Sequence, residues 1–286
     1  MDLIAEAFPP KPHWTAQDVP DMTGKVVAVT GYGGIGYYTI KALLDRNAKV
    51  YVLGRKESLF DAAVERLASD SPPTTRKPLF IHCDLSSIQS PVKAANELKA
   101  QEPKLDILFC NAGVMVPPTG SKTDDGYDLQ WQTNVMGHWI LTTNLLPILL
   151  KVSEDSNGVN KARVVHTSSS GHRFAPGKTI DWESLKVKDD GSIGNGLGNW
   201  VLYGQTDLPR HLKQSFFVRL MGWVEPLVTY PAALGALTQL YLGTAPDVKG
   251  GDYGIPWARI GKPRDDAKDE KIGKEVWEWL ERECKV

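Results

Sequence analysis

The sequence predicts a single α/β domain built on a doubly wound parallel sheet. Two observations predict it. Short β-branched runs alternate with helical patterns through the first two thirds of the 286 residues. Most positions in these runs are apolar, which is typical of parallel strands that helices cover on both faces. With 42% hydrophobic residues, the chain is long enough to bury a stable core of this kind.

The predicted elements follow one another in a regular order. The apolar runs predict five strands, at residues 26–29, 50–53, 79–82, 107–110 and 163–166. The patterns between them predict helices at residues 36–47, 58–68, 91–98 and 127–150. After residue 203 the alternation stops, and we expect helices at residues 212–220, 232–242 and 274–283 and one short strand at residues 253–255. We assign residues 1–20 to an N-terminal leader and residues 21–286 to the domain.

Composition and charge argue against several classes of partner. Lys and Arg (33) nearly balance Asp and Glu (34), so the net charge of −1 provides no field to attract nucleic acid or an anionic membrane. Three scattered cysteines, Cys83, Cys110 and Cys284, are too few for a disulfide framework or a zinc site. The apolar stretch at residues 141–150 falls short of the roughly 20 residues that a membrane span needs, and residues 1–14 lack a signal-peptide pattern. We expect a soluble, cytoplasmic protein without a metal.

A glycine-rich turn follows the first predicted strand and opens the first helix. It contains Gly31, Gly34, Ile35 and Gly36. Glycines at this position let the backbone approach a pyrophosphate and present helix amides to it. A plain tight turn would have a similar composition, so the position between strand and helix is what favours nucleotide binding.

Arg55 follows the second predicted strand. Dinucleotide-binding domains often have an acid at this point for the adenosine ribose hydroxyls, whereas an arginine suits a 2′-phosphate. Arg55 therefore favours NADP(H) over NAD(H). The alternative is a solvated arginine that only leads into the next helix.

Further motifs stand near the ends of the later strands. They are Asp84-Leu85, Asn111-Ala112-Gly113, Asn134 within residues 133–137, and the Ser-rich run at residues 167–172. In this order, and with the glycine-rich turn, they resemble the short-chain dehydrogenase/reductase superfamily, which has a Rossmann-type fold. The resemblance covers roughly residues 20–205, resumes near Asp207, and is greatest to the fungal, retinol-dehydrogenase-like branch.

The resemblance implies roles for individual residues. Asp84, with Leu85 beside it, would contact the adenine ring, and Asn111, Ala112 and Gly113 would flank the cofactor. Asn134 would hold a proton-relay water, Ser169 would orient the substrate carbonyl, and Tyr203 would transfer the proton. The alternative for the serine run is that it only ends the strand.

The segment after Tyr203 departs from the family pattern. Asp207 stands where the family has a lysine, and Pro209 follows. A tyrosine has a pKa near ~10, which a lysine ammonium lowers and a carboxylate raises. Pro209 would also interrupt a helix that carried both side chains. Asp207 therefore cannot replace the lysine.

Two differences in length accompany this departure. The glycine-rich turn has only Tyr32 and Gly33 between Gly31 and Gly34, one residue fewer than the family pattern, which should weaken the pyrophosphate site. Residues 206–212 resemble the family segment that follows the sixth strand. We therefore expect a block of about 30 residues, the size of one helix and one strand, to be missing between Gln205 and Thr206, and with it the sixth strand and the helix before it. The strand at residues 253–255 would then pair with the fifth strand or stay unpaired.

Two hypotheses about function follow. The first is an NADP(H)-dependent oxidoreductase that interconverts an alcohol and a carbonyl on a small apolar substrate, with impaired activity. The second is an inactive nucleotide-binding or interaction protein, or an incomplete gene product. The missing helix commonly forms the dimer interface in the family, so oligomerisation is not expected by that route.

Overall fold

The computed structural model describes residues 6, 8–70, 76–115, 117–118, 120–168, 180, 182–186 and 230–285. Its centre is a parallel sheet whose strands occur in the order β3-β2-β1-β4-β5. The strands are β1 Val26–Thr30, β2 Lys49–Gly54, β3 Leu79–His82, β4 Ile107–Cys110 and β5 Arg163–His166. This order confirms the doubly wound α/β fold. It also places the carboxyl ends of β1, β2 and β4 side by side at one edge.

The helices lie close to where the sequence predicts them. They are α1 Ile35–Leu44, α2 Glu57–Asp70, α3 Gln89–Gln101, the short α4 Leu129–Trp131, α5 Gly137–Asp155, α6 Ala232–Thr244 and α7 Glu270–Glu283. A π-helical segment, Gln132–Met136, joins α4 to α5. The helix predicted at residues 212–220 lies outside the described residues.

Two apolar clusters cover the two faces of the sheet. On one face, α1, α2 and α6 contribute Leu43, Phe60 and Leu240 to a cluster with Val27 and Phe109. On the other face, α3 and α5 contribute residues to a cluster with Ala28 and Leu108. Neighbouring residues of β1 and β4 thus point to opposite faces, and both faces are buried. This is why every residue of these two strands except Thr30 is apolar.

The segment from α4 to α5 is long and apolar. Over Leu129–Asp155 it is long and apolar enough to cross a membrane by length and composition, and half of its most apolar window is buried inside the protein. Leu141 and Leu145 are fully buried against the sheet and α3. A core helix passes the same test, so this observation is weak support for a membrane span.

The strand predicted near residue 253 has a different partner from either alternative that the sequence left open. Residues Tyr253–Ile255 form β6, which pairs antiparallel with β7, Arg259–Gly261. Both alternatives were therefore wrong, because the sequence reading had found no strand in residues 259–261. Among the described residues, the parallel sheet ends at β5.

Part of the predicted leader packs on the domain. Val19 is buried in the cluster that covers β1, and the Trp14 ring meets the Tyr241 ring edge-on at 5.6 Å. Residues 14–19 therefore contribute to the core, and the division at residue 20 stays a prediction.

Candidate cofactor site

A cavity of about 770 Å³ opens at the carboxyl edge of the sheet. The structure brings all but one of the predicted cofactor-binding residues to its wall: Gly31, Gly34, Ile35, Arg55, Asp84, Leu85, Asn111, Ala112 and Gly113. The remaining one, Gly36, lies one residue inside α1. The crevice beyond the strand ends, where the strand order reverses, is where open α/β sheets bind ligands.

The glycine-rich turn forms the part of the wall between β1 and α1. Gly31 has φ +79° and Gly34 has φ +53°, which are backbone conformations that glycine adopts readily. A Cβ on Gly36 would lie 2.6 Å from the Gly31 carbonyl oxygen and 2.7 Å from Asn111 Nδ2. The turn is thus packed too closely for any other residue at position 36. Whether the shorter turn weakens the site stays a prediction.

The first turn of α1 begins at the wall of the cavity, which Gly34 and Ile35 line. Its N-cap residue is Gly34, and no side chain of the described residues caps this end. The first N–H groups of a helix have no partner within the helix and carry partial positive charge. This end of α1 therefore suits an anionic group such as a pyrophosphate.

Two cations line the cavity where β2 ends. Arg55 and Lys56 are both exposed, and neither forms an ion pair with a residue that the structure describes. Sequence analysis identified Arg55 but not Lys56. The pair leaves positive charge beside the cavity that no described carboxylate neutralises.

Asp84 also lines the cavity, two residues after the end of β3, the strand that pairs with β2. One of its carboxylate oxygens accepts hydrogen bonds from the Ser86 backbone N–H at 2.9 Å and from the Ser86 hydroxyl at 2.6 Å. This local turn fixes the carboxylate, which suits recognition of an amino group.

Asn111 is held by hydrogen bonds within the protein. Its Nδ2 donates to the Thr30 carbonyl at 2.9 Å, and its Oδ1 accepts from Gln239 Nε2 at 3.3 Å. The same Gln239 amide also donates to Thr39 Oγ1 and accepts from Thr167 Oγ1 at 2.7 Å. Gln239, which sequence analysis missed, therefore joins α6 to α1 and to the ends of β4 and β5. The sequence signal that could have identified this residue is a single glutamine among the mainly apolar residues of α6.

Replacing Gln239 with leucine is expected to lower the free energy of unfolding by about 2–4 kcal/mol, because it leaves buried polar partners unsatisfied at roughly 1–3 kcal/mol each. Urea denaturation measures this change. The control is Gln101→Leu at the exposed end of α3, where we expect a change within about 0.5 kcal/mol. Equal effects of the two variants would contradict a bridging role for Gln239.

The predicted proton-relay residue, Asn134, lies in the π-helical segment. Its Oδ1 accepts from the Val114 N–H, and its Nδ2 donates to the Val114 carbonyl, both at 2.8 Å. The side chain thereby ties the cofactor-flanking loop to the helix, while its backbone carbonyl meets His138 Nδ1 at 2.9 Å. Burial lowers the pKa of His138 to about 4.

A second cavity of about 300 Å³ adjoins the first at Ala112 and Thr167. Asn134, His138 and Ser168 line it. The two other predicted catalytic residues, Ser169 and Tyr203, lie outside the described residues.

A family model described as short chain dehydrogenase matches residues 25–178, which is more than half of the chain. The chain belongs to this family. A short-chain dehydrogenase/reductase of Armillaria gallica is 40% identical, covering 99% of this chain and 97% of its own length. One from Phomopsis amygdali is 30% identical over 98% of the chain and 96% of its own length. The crystal structure of an uncharacterized protein from Mycobacterium paratuberculosis has a TM-score of 0.71 and 26% identity, covering 96% of this chain and 98% of the other.

The short-chain dehydrogenases are a family of oxidoreductases that bind nicotinamide cofactors. The alignment with the Armillaria relative extends over 315 positions, which exceeds the 286 residues of this chain. Some positions of that short-chain dehydrogenase therefore have no counterpart here.

Proposed function

We propose that this short-chain dehydrogenase binds NADP(H) in the larger cavity and is an alcohol–carbonyl oxidoreductase with impaired turnover. The observation that carries the proposal is the pair of exposed cations, Arg55 and Lys56, beside the start of α1. Among the described residues neither cation has an ion-pair partner and no side chain caps this helix start. The helix start suits the pyrophosphate and the cations suit the 2′-phosphate. When bound, the cofactor would supply the hydride.

Three residues would do the chemistry that this chain contributes. Asn134 would support a relay water, Ser169 would orient the substrate carbonyl, and Tyr203 would transfer the proton. With Asp207 in place of the family's lysine, Tyr203 would keep a pKa of ~10 or higher, too high for efficient proton exchange at neutral pH. Low turnover then follows from the residues after Gln205.

A missing block is the simplest account of those residues. The extra positions in the alignment with the Armillaria relative support such a loss. Its placement between Gln205 and Thr206 rests on the sequence pattern alone. Sequencing the transcript across these two codons tests it: a transcript that encodes the extra block would make this sequence an incomplete gene product of a sound enzyme.

An aromatic wall supports an apolar substrate. Tyr230 and Trp257 line the larger cavity and meet edge-on, with ring centroids 4.9 Å apart, and Pro231 lies beside them. Such surfaces favour apolar or aromatic carbonyl compounds over charged ones. We further propose a cytoplasmic location and no dimer through the family's usual interface.

Purified protein is expected to bind NADPH while oxidising it slowly with small aldehydes or quinones. Nucleotide fluorescence titration measures the binding, and absorbance at the nicotinamide band measures turnover. The Armillaria relative is the positive control, and Tyr203→Phe shows whether residual turnover uses this tyrosine. Turnover equal to that of the relative would contradict the impairment.

The second candidate is an inactive nucleotide-binding or interaction protein. The absence of any lysine near Tyr203 favours it, since the nearest following one, Lys213, lies beyond Pro209. This candidate would be supported over the impaired enzyme if the protein binds NADPH and any residual turnover is the same in Tyr203→Phe as in the wild type.

A further inference from the structure

Tyr32 lies across the end of β2, although it belongs to the turn after β1. A Cβ on Gly54 would collide with its ring at Cε1 and lie 3.0 Å from Cδ1. The ring also meets Phe60 of α2 edge-on, with centroids 6.4 Å apart. Tyr32 therefore fills the space that a side chain at position 54 would otherwise occupy.

The Tyr32 hydroxyl makes two hydrogen bonds to one residue. It donates to the Lys56 carbonyl oxygen at 2.8 Å and accepts from the Lys56 N–H at 3.3 Å. Lys56 directly precedes α2, and its carbonyl also accepts from the Leu59 and Phe60 N–H groups at 3.2 and 3.3 Å. Tyr32 is thus tied to the backbone where α2 starts.

This tie fixes the segment that carries the cations. Arg55 lies between Gly54, which contacts the Tyr32 ring, and Lys56, which contacts the hydroxyl. Both side chains are long and exposed. The position of their charges therefore depends on how firmly the backbone of residues 55 and 56 is held. A dinucleotide-binding domain accommodates a 2′-phosphate at this point of the fold.

We propose that Tyr32 is a positioning residue that sets the preference for nucleotides with a 2′-phosphate, by holding Arg55 and Lys56 at that group. The inference rests on the proposed function, because it requires the adenosine end of the cofactor to lie where β2 ends. It assigns to the glycine-rich turn a second task besides approaching the pyrophosphate.

Two probes that differ by one group test the proposal: adenosine 2′,5′-bisphosphate and 5′-AMP, titrated calorimetrically into the full chain. Tyr32→Phe keeps the ring and removes both hydrogen bonds. It is expected to weaken binding of the bisphosphate roughly five- to tenfold, the equivalent of one hydrogen bond, and to change 5′-AMP binding less than about twofold.

The matched control is Tyr38→Phe. The Tyr38 hydroxyl accepts a hydrogen bond from Arg66 at 3.2 Å, and this tyrosine does not line the cavity. This variant should leave both affinities unchanged. Equal weakening of both probes in Tyr32→Phe would show a merely structural role and overturn the proposal, as would no change in either.

A second variant acts through the ring instead of the hydroxyl. Gly54→Ala places a Cβ against the Tyr32 ring and should displace it, and thereby reproduce the selective loss for the bisphosphate. Unchanged selectivity in this variant would overturn the proposal. If the wild-type chain binds neither probe, the proposed function fails together with the inference. If it binds the bisphosphate more tightly and the ratio survives both substitutions, only the inference fails.

Discussion

Replacing Gly36 with alanine is expected to weaken NADPH binding about 100-fold. The new Cβ would lie 2.6 Å from the Gly31 carbonyl oxygen and 2.7 Å from Asn111 Nδ2. Both atoms are held, the first by the backbone of the turn and the second by the Thr30 carbonyl. The start of α1 must therefore move away from the turn. Two hydrogen bonds to charged phosphate oxygens, at about 1.5 kcal/mol or more each, account for the loss of affinity.

The same substitution should also lower the free energy of unfolding by about 1–3 kcal/mol, the usual cost of overpacking. Titration of NADPH fluorescence and urea denaturation measure the two effects. Gly273→Ala in α7 is the matched control, because nothing lies within 4 Å of its new Cβ. It should leave binding unchanged and stabilise the helix by roughly 0.5–1 kcal/mol. Wild-type affinity in Gly36→Ala would contradict a pyrophosphate site at this turn.

The features that depend on local pattern could be predicted from the sequence. The five strands of the sheet are apolar at nearly every position because helices cover both faces, and this leaves a signal in each run. Gly31 and Gly36 could be identified because a tight strand-to-helix turn has a recognisable composition. The family motifs added Asp84 and Asn111, and the structure places both on the wall of the same cavity.

The features that depend on contacts between residues far apart in the chain could not be predicted from the sequence. Gln239 meets Thr39 and Asn111, which are 200 and 128 positions away, and nothing in α6 alone indicates those partners. The contact between Tyr32 and Gly54 likewise joins two separate turns. The π-helical segment Gln132–Met136 differs from an α-helix in its hydrogen bonds and not in its apolar pattern. The partner of β6 was missed because β7 has only three residues, of which Ile260 alone carries an apolar side chain.

His138 should make the protein less stable as the pH falls from 6.5 to 4. Burial, which outweighs the opposing hydrogen bond to the Asn134 carbonyl, together with the nearby His166 lowers its pKa from 6.5 to about 4. Thr30 Oγ1 explains why the ring stays neutral. This oxygen already accepts the Asn111 and Ala112 N–H groups, each at 2.9 Å. Its own hydrogen can be donated to His138 Nε2 at 2.9 Å or to the Phe109 carbonyl at 3.3 Å. A protonated Nε2 would face an oxygen with no acceptor capacity left.

The direction in which pH changes the free energy of unfolding follows from proton binding. Between pH 6.5 and 4 the unfolded chain binds a proton at this residue and the folded chain does not, so stability is full above pH 6.5 and is lost as the pH falls. The shift corresponds to about 3 kcal/mol. Asp128 acts in the opposite direction, because burial raises its pKa to about 6 and makes its charged form unfavourable in the folded state. Burial also lowers the pKa of His166, which adds to the slope in the same direction as His138, so the slope of the wild-type chain combines all three groups.

His138→Gln separates the two contributions. The variant keeps a neutral polar side chain and removes the titrating group, so its free energy of unfolding should change less between pH 7 and pH 4.5 than that of the wild type. His82→Gln, at an exposed position of β3, is the control and should keep the wild-type slope. Denaturation in urea at both pH values, with an NMR titration of the imidazole, measures the effect. A His138 imidazole that titrates near 6.5 in the folded chain would contradict this expectation.

The ring of His138 also contacts the Asn134 carbonyl and the Thr30 hydroxyl. Acid that breaks these contacts would therefore also loosen the loop that flanks the cofactor.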